Sequence, residues 1–201
     1  MITFTRKDCN WMILMTGSDV HAQRAAYLAF AVIAEGCAEH IRTKYLSAFV
    51  QCICNGIKHP QPIVRNTALY AVGQFSEYLQ PDINQFAQDI LPVLFEYLTA
   101  TCVSLANGQK VPRSIDRVFY ALETFCETME DKLNPFVPSL MEHFFSALNP
   151  SYPFHVKELA LSAIGATGIR SSSSTTFINY DIQLLFLSFL FQLKNLIFFF
   201  N

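Results

Sequence analysis

Charge is scarce in this chain and favours neither sign. Only 15% of its 201 residues are Asp, Glu, Lys or Arg, and 14 basic side chains stand against 16 acidic ones for a net charge of −2. Direct nucleic-acid binding needs a basic face, so that class is set aside. Glycine is sparse too: seven in all, none spaced GxGxxG and none leading into GK[ST], which removes the phosphate-cradling loops. The Gly-x-Ser-x-Gly elbow of a hydrolase is missing. Cys52 and Cys54 with His59 invite a zinc reading, but side chains two apart on a helix diverge by about 200°. No paired CxxC motif completes four ligands. The six cysteines, at 9, 37, 52, 54, 102 and 126, are therefore read as reduced, buried residues of a cytosolic or nuclear protein. A secretory leader is not expected either: Arg6, Lys7 and Asp8 interrupt the start, and Trp11 to Met15 is too short an apolar core. No cofactor, metal or catalytic residue is expected.

What the chain has in abundance is apolar side chains, 52% of the total, and they are periodic. In Pro62 to Leu79, Ala68, Ala71, Val72, Phe75 and Leu79 share one face at helical spacing. Asn66, Tyr70, Gly73 and Glu77 share the opposite face. One such helix cannot bury its own stripe. Segments starting at 27, 69, 119 and 161 align with one another, at offsets of 42, 50 and 42 residues. Ala29, Ala71, Ala121 and Ala163 fill one equivalent position; Glu35, Glu77 and Glu127 fill another, taken by Ile169 in the fourth copy. A small residue recurring mid-stripe lets neighbouring helices approach closely. Two helices per unit of roughly 40 to 47 residues is the HEAT and armadillo range. The expected fold is all-α, a solenoid of antiparallel helix pairs.

The spacing predicts helices over Val20 to Glu39 (capped by Ser18 or Asp19), Thr43 to Ile57, Pro62 to Leu79, Ile83 to Cys102 and Pro112 to Met129. A further pair spans Pro135 to Leu148 and Tyr152 to Gly168. Prolines at 60, 62, 81, 112, 135, 150 and 153 fall at these borders, while Pro92, inside one helix, should kink it. The loop Ser104 to Val111 accounts for the longer offset. Three regions are expected: a non-matching lead-in over 1–19, the repeat array over 20–170, and a Ser-rich linker with an apolar tail over 171–201. The tail, Ile182 to Phe200, is long enough to span a bilayer. A central lysine costs roughly 2.5–3.5 kcal/mol there, and the first reading is an aberrant terminus. Membrane insertion and a substitute for the next repeat's first helix stay open as alternatives.

AVIAEGCAEHI (31–41), VRNTALYAVGQFSEYLQP (64–81), YALETF (120–125) and KELALSAIGA (157–166) together resemble the middle of an importin-β family nuclear transport receptor. The resemblance covers about residues 23–167, and only the VRNTALYAVGQFSE block is specific beyond HEAT repeats in general. It implies a carrier that binds basic cargo, such as histones or ribosomal proteins, on its concave side. It further implies Phe-Gly nucleoporins on the convex side, the GTPase Ran at amino-terminal repeats, and a place in both cytoplasm and nucleus. The chain is short for such a receptor and has no match to the Ran-binding repeats, so it reads as a receptor fragment. It also carries His59 where the common motif prefers Asp at the turn. The rival reading is a HEAT scaffold of a phosphatase or chromatin complex.

In stacked helix pairs the second helices line the concave surface. The outward strip of Pro62 to Leu79 and its equivalents would carry Asn66, Tyr70 and Glu77, then Asp116, Tyr120, Glu123 and Glu127, with Leu28, Ala31 and Glu35 before them. This is a ladder of carboxylates beside two tyrosines, expected to meet Lys and Arg of an extended cargo segment. Glu123 and Glu127 stand four apart on one face, but an inner surface open to water lacks a pocket to tune them for acid–base work.

Overall fold

The computed structural model describes residues 9–170, and they are helical throughout, with no strand among the described residues. Helix α1 (Cys9–Thr16) leads into α2 (Val20–Gly36), α3 (Ala38–Lys44), α4 (Leu46–Ile57) and α5 (Pro62–Tyr78). A 3-10 turn at Asp82–Phe86 precedes α6 (Ala87–Ala106), which is followed by α7 (Ile115–Thr128). A second 3-10 turn at Glu130–Phe136 precedes α8 (Val137–Ser146) and then α9 (Phe154–Arg170). Helices α2, α5, α7 and α9 stack side by side as one layer, and α4, α6 and α8 form a second layer on top of it. Within each unit the two layers pair as α4 on α5, α6 on α7 and α8 on α9. This is the HEAT-repeat solenoid that the periodicity predicts.

The apolar stripes meet between the layers. Ala68, Ala71, Val72, Phe75 and Leu79 are all fully buried, as their spacing requires. Ala71, Ala121 and Ala163 are also fully buried, while Ala29, at the first layer edge, is only half-buried. Phe30 meets Phe49 edge-on at 4.2 Å, and Phe49 reaches Phe75 at 6.0 Å, so aromatic contacts run from one unit to the next. Burying a phenylalanine this completely is worth about 1.5–3 kcal/mol. Polar side chains fasten the units as well. Tyr27 and Tyr152 each donate a hydroxyl across the layers, to the carbonyls of Cys52 and Cys102. Arg42 and Asn84 each reach from one unit to the last carbonyls of a first-layer helix, Tyr78 and Thr128.

Several boundaries differ from the periodicity. The predicted Val20 to Glu39 helix, capped by Asp19 through the His21 amide, stops at Gly36; Cys37 leaves helical geometry with φ −119° and α3 restarts at Ala38. A second break falls at Tyr45, φ −129°, so Thr43 and Lys44 belong to α3. The chain has to cross from one layer to the other here, and two bends do it. The helix predicted from Ile83 begins as a 3-10 turn, and Pro135 likewise sits in a 3-10 turn rather than opening α8. Helix α6 continues through Pro92, which lies on its exposed side. Helix α1, in the lead-in, packs on α2 and α4 and sends Met15 into the core. The described residues include one stretch, Asp82–Ala106, long and apolar enough to cross a membrane, and half of it is buried within the solenoid. Residues 1–8 and the apolar tail over 171–201 lie outside the described residues.

His59 braces the turn that leads into α5. Its Nδ1 accepts the Gln61 amide at 3.1 Å, and Arg65 clamps the carbonyls of His59 and Pro60. The turn at Asn149–Pro150–Ser151 repeats the device: Asn149 Oδ1 accepts the Ser151 amide at 3.0 Å and Lys157 reaches the Pro150 carbonyl. His59→Ala is therefore expected to lower stability by about 1 kcal/mol, the net worth of one hydrogen bond, and His59→Asp, whose carboxylate can accept the same amide, to restore it. Urea titration of the two variants checks this; equal stability of His59→Ala and the unaltered chain would remove the turn-bracing role.

Candidate protein-binding face

Side-by-side stacking of α2, α5 and α7 brings corresponding positions of successive units together. Glu35, Glu77 and Glu127 are all exposed near the ends of these helices. Tyrosines interleave with them. The Tyr78 hydroxyl is held above the usual tyrosine range chiefly by the charge of Glu35, then by Glu77. The Tyr120 hydroxyl donates to Glu77 across the α5–α7 boundary. Burial, then that hydrogen bond and the Glu77 charge, push the Tyr120 pKa up to about 12, with smaller contributions from Tyr78 and Glu127. Both phenols thus stay protonated at neutral pH and can act as donors beside the carboxylates.

Tyr120 is held in place by what is absent beneath it. A Cβ at Gly73 would stand 2.9 Å from the Tyr120 ring, so only glycine leaves the ring its seat. Gly73 is consequently buried rather than displayed. Ala31, also expected on the strip, is buried in the core at 2% exposure. Both corrections have one cause: the strip is not a bare helix face, because each helix of this layer is flanked by the next. Glu123 is half-buried, its carboxyl raised by that burial and by Glu127, with a hydrogen bond to Ser162 of α9 opposing.

The other half of the strip is already engaged within the protein. Asp116 pairs with His155 of α9 at 2.6 Å. Arg117 lies over the Tyr70 ring, 5.0 Å from its centre, and donates to the Asn66 carbonyl. A groove of about 290 Å³ between Tyr70 and Tyr120, over Gly73, opens beside this arginine. The predicted residues therefore fall into two groups. Glu35, Glu77, Tyr120 and Glu127 form an acidic row that Tyr78 joins, while Asn66, Tyr70 and Asp116 sit at an end already in contact with Arg117 and His155. Sequence reasoning missed Tyr78, Arg117 and His155. Arg117 stands three residues before Tyr120, a spacing that shares a face, so the signal was present. His155 comes from another unit, and only the stacking register brings it to Asp116.

The cysteines lie elsewhere. Cys52 is buried against Tyr27, whereas Cys54 is half-buried with its sulfur toward the Asp89 carbonyl. Burial pushes the Cys54 and Cys126 thiols up to about 11.

Helix pairs stacked in two layers define a HEAT-repeat solenoid, and the HEAT-like repeat family matches residues 20–75. The chain is 39% identical to importin-4 of Homo sapiens over 154 residues, which is 77% of this chain and 14% of that protein. Two solved structures overlay on it at 26% identity. Kap121p bound to Pho4p gives a TM-score of 0.72 over 89% of this chain and 17% of the other. Kap121p bound to Nup53p gives 0.73 over the same shares. The chain belongs to the importin-β (karyopherin) family. It spans about a seventh of the length of importin-4.

Proposed function

We propose that this chain is a cargo-binding HEAT segment of a nuclear import receptor, working between cytoplasm and nucleus. The row Glu35–Tyr78–Glu77–Tyr120–Glu127 takes extended basic segments of proteins, with histones and ribosomal proteins as the cargo class. The observation that carries this is the interleaving of exposed carboxylates with protonated tyrosines across three successive units. Carboxylates give charge-assisted hydrogen bonds to Lys and Arg, and tyrosine adds amphipathic contact area. Inner helices about 8–10 Å apart suit every third residue of an extended peptide at ~3.3 Å per residue. Asn66, Tyr70, Asp116 and Glu123 flank the row and contribute less, since their polar groups are engaged or half-buried. Relatives support the reading: Kap121p has been solved with Pho4p and with Nup53p. On that basis Phe-Gly nucleoporins are proposed partners of the segment, and Ran a partner of a longer receptor rather than of these repeats. The segment is read as non-enzymatic, and 20–170 as its repeat array.

The test is fluorescence titration of a lysine-rich peptide with the unaltered chain and with Glu77→Lys/Glu127→Lys. Reversing two charges should weaken binding about a hundredfold, on the order of tenfold for each close pair. Unchanged affinity in the double variant would overturn the assignment.

A further inference from the structure

The insertion between α6 and α7 does more than lengthen one repeat. Its backbone is tied to the end of α6 by Gly108 N–H to Leu105 O at 2.9 Å and Gln109 N–H to Ser104 O at 3.0 Å. So held, the loop walls one side of a cleft of about 400 Å³ whose other sides are α4, α6 and the start of α5. The cleft lies on the layer opposite the acidic row. Ile57 and Val93, both buried, lie at its base, and the half-buried Tyr97 and Pro112 with the exposed Ala100 give it an accessible apolar floor. Around the floor stand Lys58, Arg65 and Lys110 against a single carboxylate, Glu96.

Lys58 spends its charge on Glu96, 3.0 Å away. Arg65 donates only to the neutral carbonyls of His59 and Pro60. Among the described residues neither Arg65 nor Lys110 takes part in an ion pair. The cleft therefore keeps two uncompensated cations in a chain whose net charge is −2. A half-apolar cleft with a surplus of positive charge complements a ligand with an apolar side chain flanked by carboxylates. We propose that this cleft binds an acidic segment of a partner protein, one apolar side chain on Tyr97, Ala100 and Pro112 and its carboxylates on Arg65 and Lys110. The proposal does not rest on the transport reading, since it uses no residue of the acidic row.

The experiment titrates the 201-residue chain with a labelled glutamate-rich peptide carrying one phenylalanine, at low and at physiological salt. Saturable binding that weakens with salt is expected. Lys110 is on an exposed loop, so its substitution leaves the core alone. Lys110→Glu should weaken binding at least about tenfold, as charge reversal at a close pair does, and Lys110→Arg should keep it. Glu96→Gln, which frees Lys58, should tighten binding severalfold. Lys110→Glu should still bind the lysine-rich peptide as the unaltered chain does, which separates this site from the inner row. No saturable binding by the unaltered chain, or equal affinity in Lys110→Glu, would overturn the proposal.

Discussion

Adding one methyl group at Gly56 should cost the fold about 3 kcal/mol. A Cβ there would lie 2.5 Å from two atoms of the Tyr27 phenol and 2.8 Å from the Ala68 Cβ. Neither neighbour has room to move. Tyr27 is 2% exposed and its hydroxyl is bonded to the Cys52 carbonyl at 2.7 Å, while Ala68 is fully buried on α5. Gly56→Ala must therefore push α4 away from both α2 and α5. Overpacking of this kind costs roughly 1–3 kcal/mol or more, and losing the Tyr27 bond adds about 1 kcal/mol. The better helix propensity of alanine returns only about 0.5–1 kcal/mol. Urea denaturation followed by circular dichroism measures the difference. A variant as stable as the unaltered chain would mean that the two layers do not meet closely at this point.

Gly73→Ala should behave in the opposite way, keeping the fold and losing the binding row. Its Cβ would meet only the edge of Tyr120, at 2.9 and 3.2 Å, and that ring is 41% exposed and free to swing outward. Stability should change little, since alanine gains about 0.5–1 kcal/mol in a helix interior against the lost Tyr120–Glu77 contact. With Tyr120 displaced, the row loses its bridge between α5 and α7, and affinity for a lysine-rich peptide should drop about tenfold, the equivalent of one charge-assisted hydrogen bond. Unfolding and peptide titrations on the same preparation check both halves. A destabilised variant with full affinity would contradict the seat assigned to Gly73.

The solenoid was legible because burial repeats it. The stripe Ala68, Ala71, Val72, Phe75 and Leu79 is apolar for one reason, and its copies are apolar for the same one. Prolines and turn residues marked most borders, but Cys37 and Tyr45 carry no helix-breaking chemistry. Those bends answer to where α3 must run between layers, which is tertiary. The site was readable only in part. Glu35, Glu77 and Glu127 follow from the period alone. The pairing of Asp116 with His155, and Arg117 lying on Tyr70, depend on the lateral register of neighbouring helices, which a single sequence does not encode locally. Gly73 looked like a displayed position and is a buried one, because the side chain that covers it comes from the next unit.

The most direct test of the central claim is to locate a bound basic segment on the chain. A lysine-rich peptide carrying a photo-reactive group would be cross-linked to the unaltered protein and the attachment sites read by mass spectrometry. Attachment to α2, α5 and α7 around Tyr78 and Tyr120 is the predicted result. Attachment confined to α4, α6 and α8, on the other layer, would contradict it.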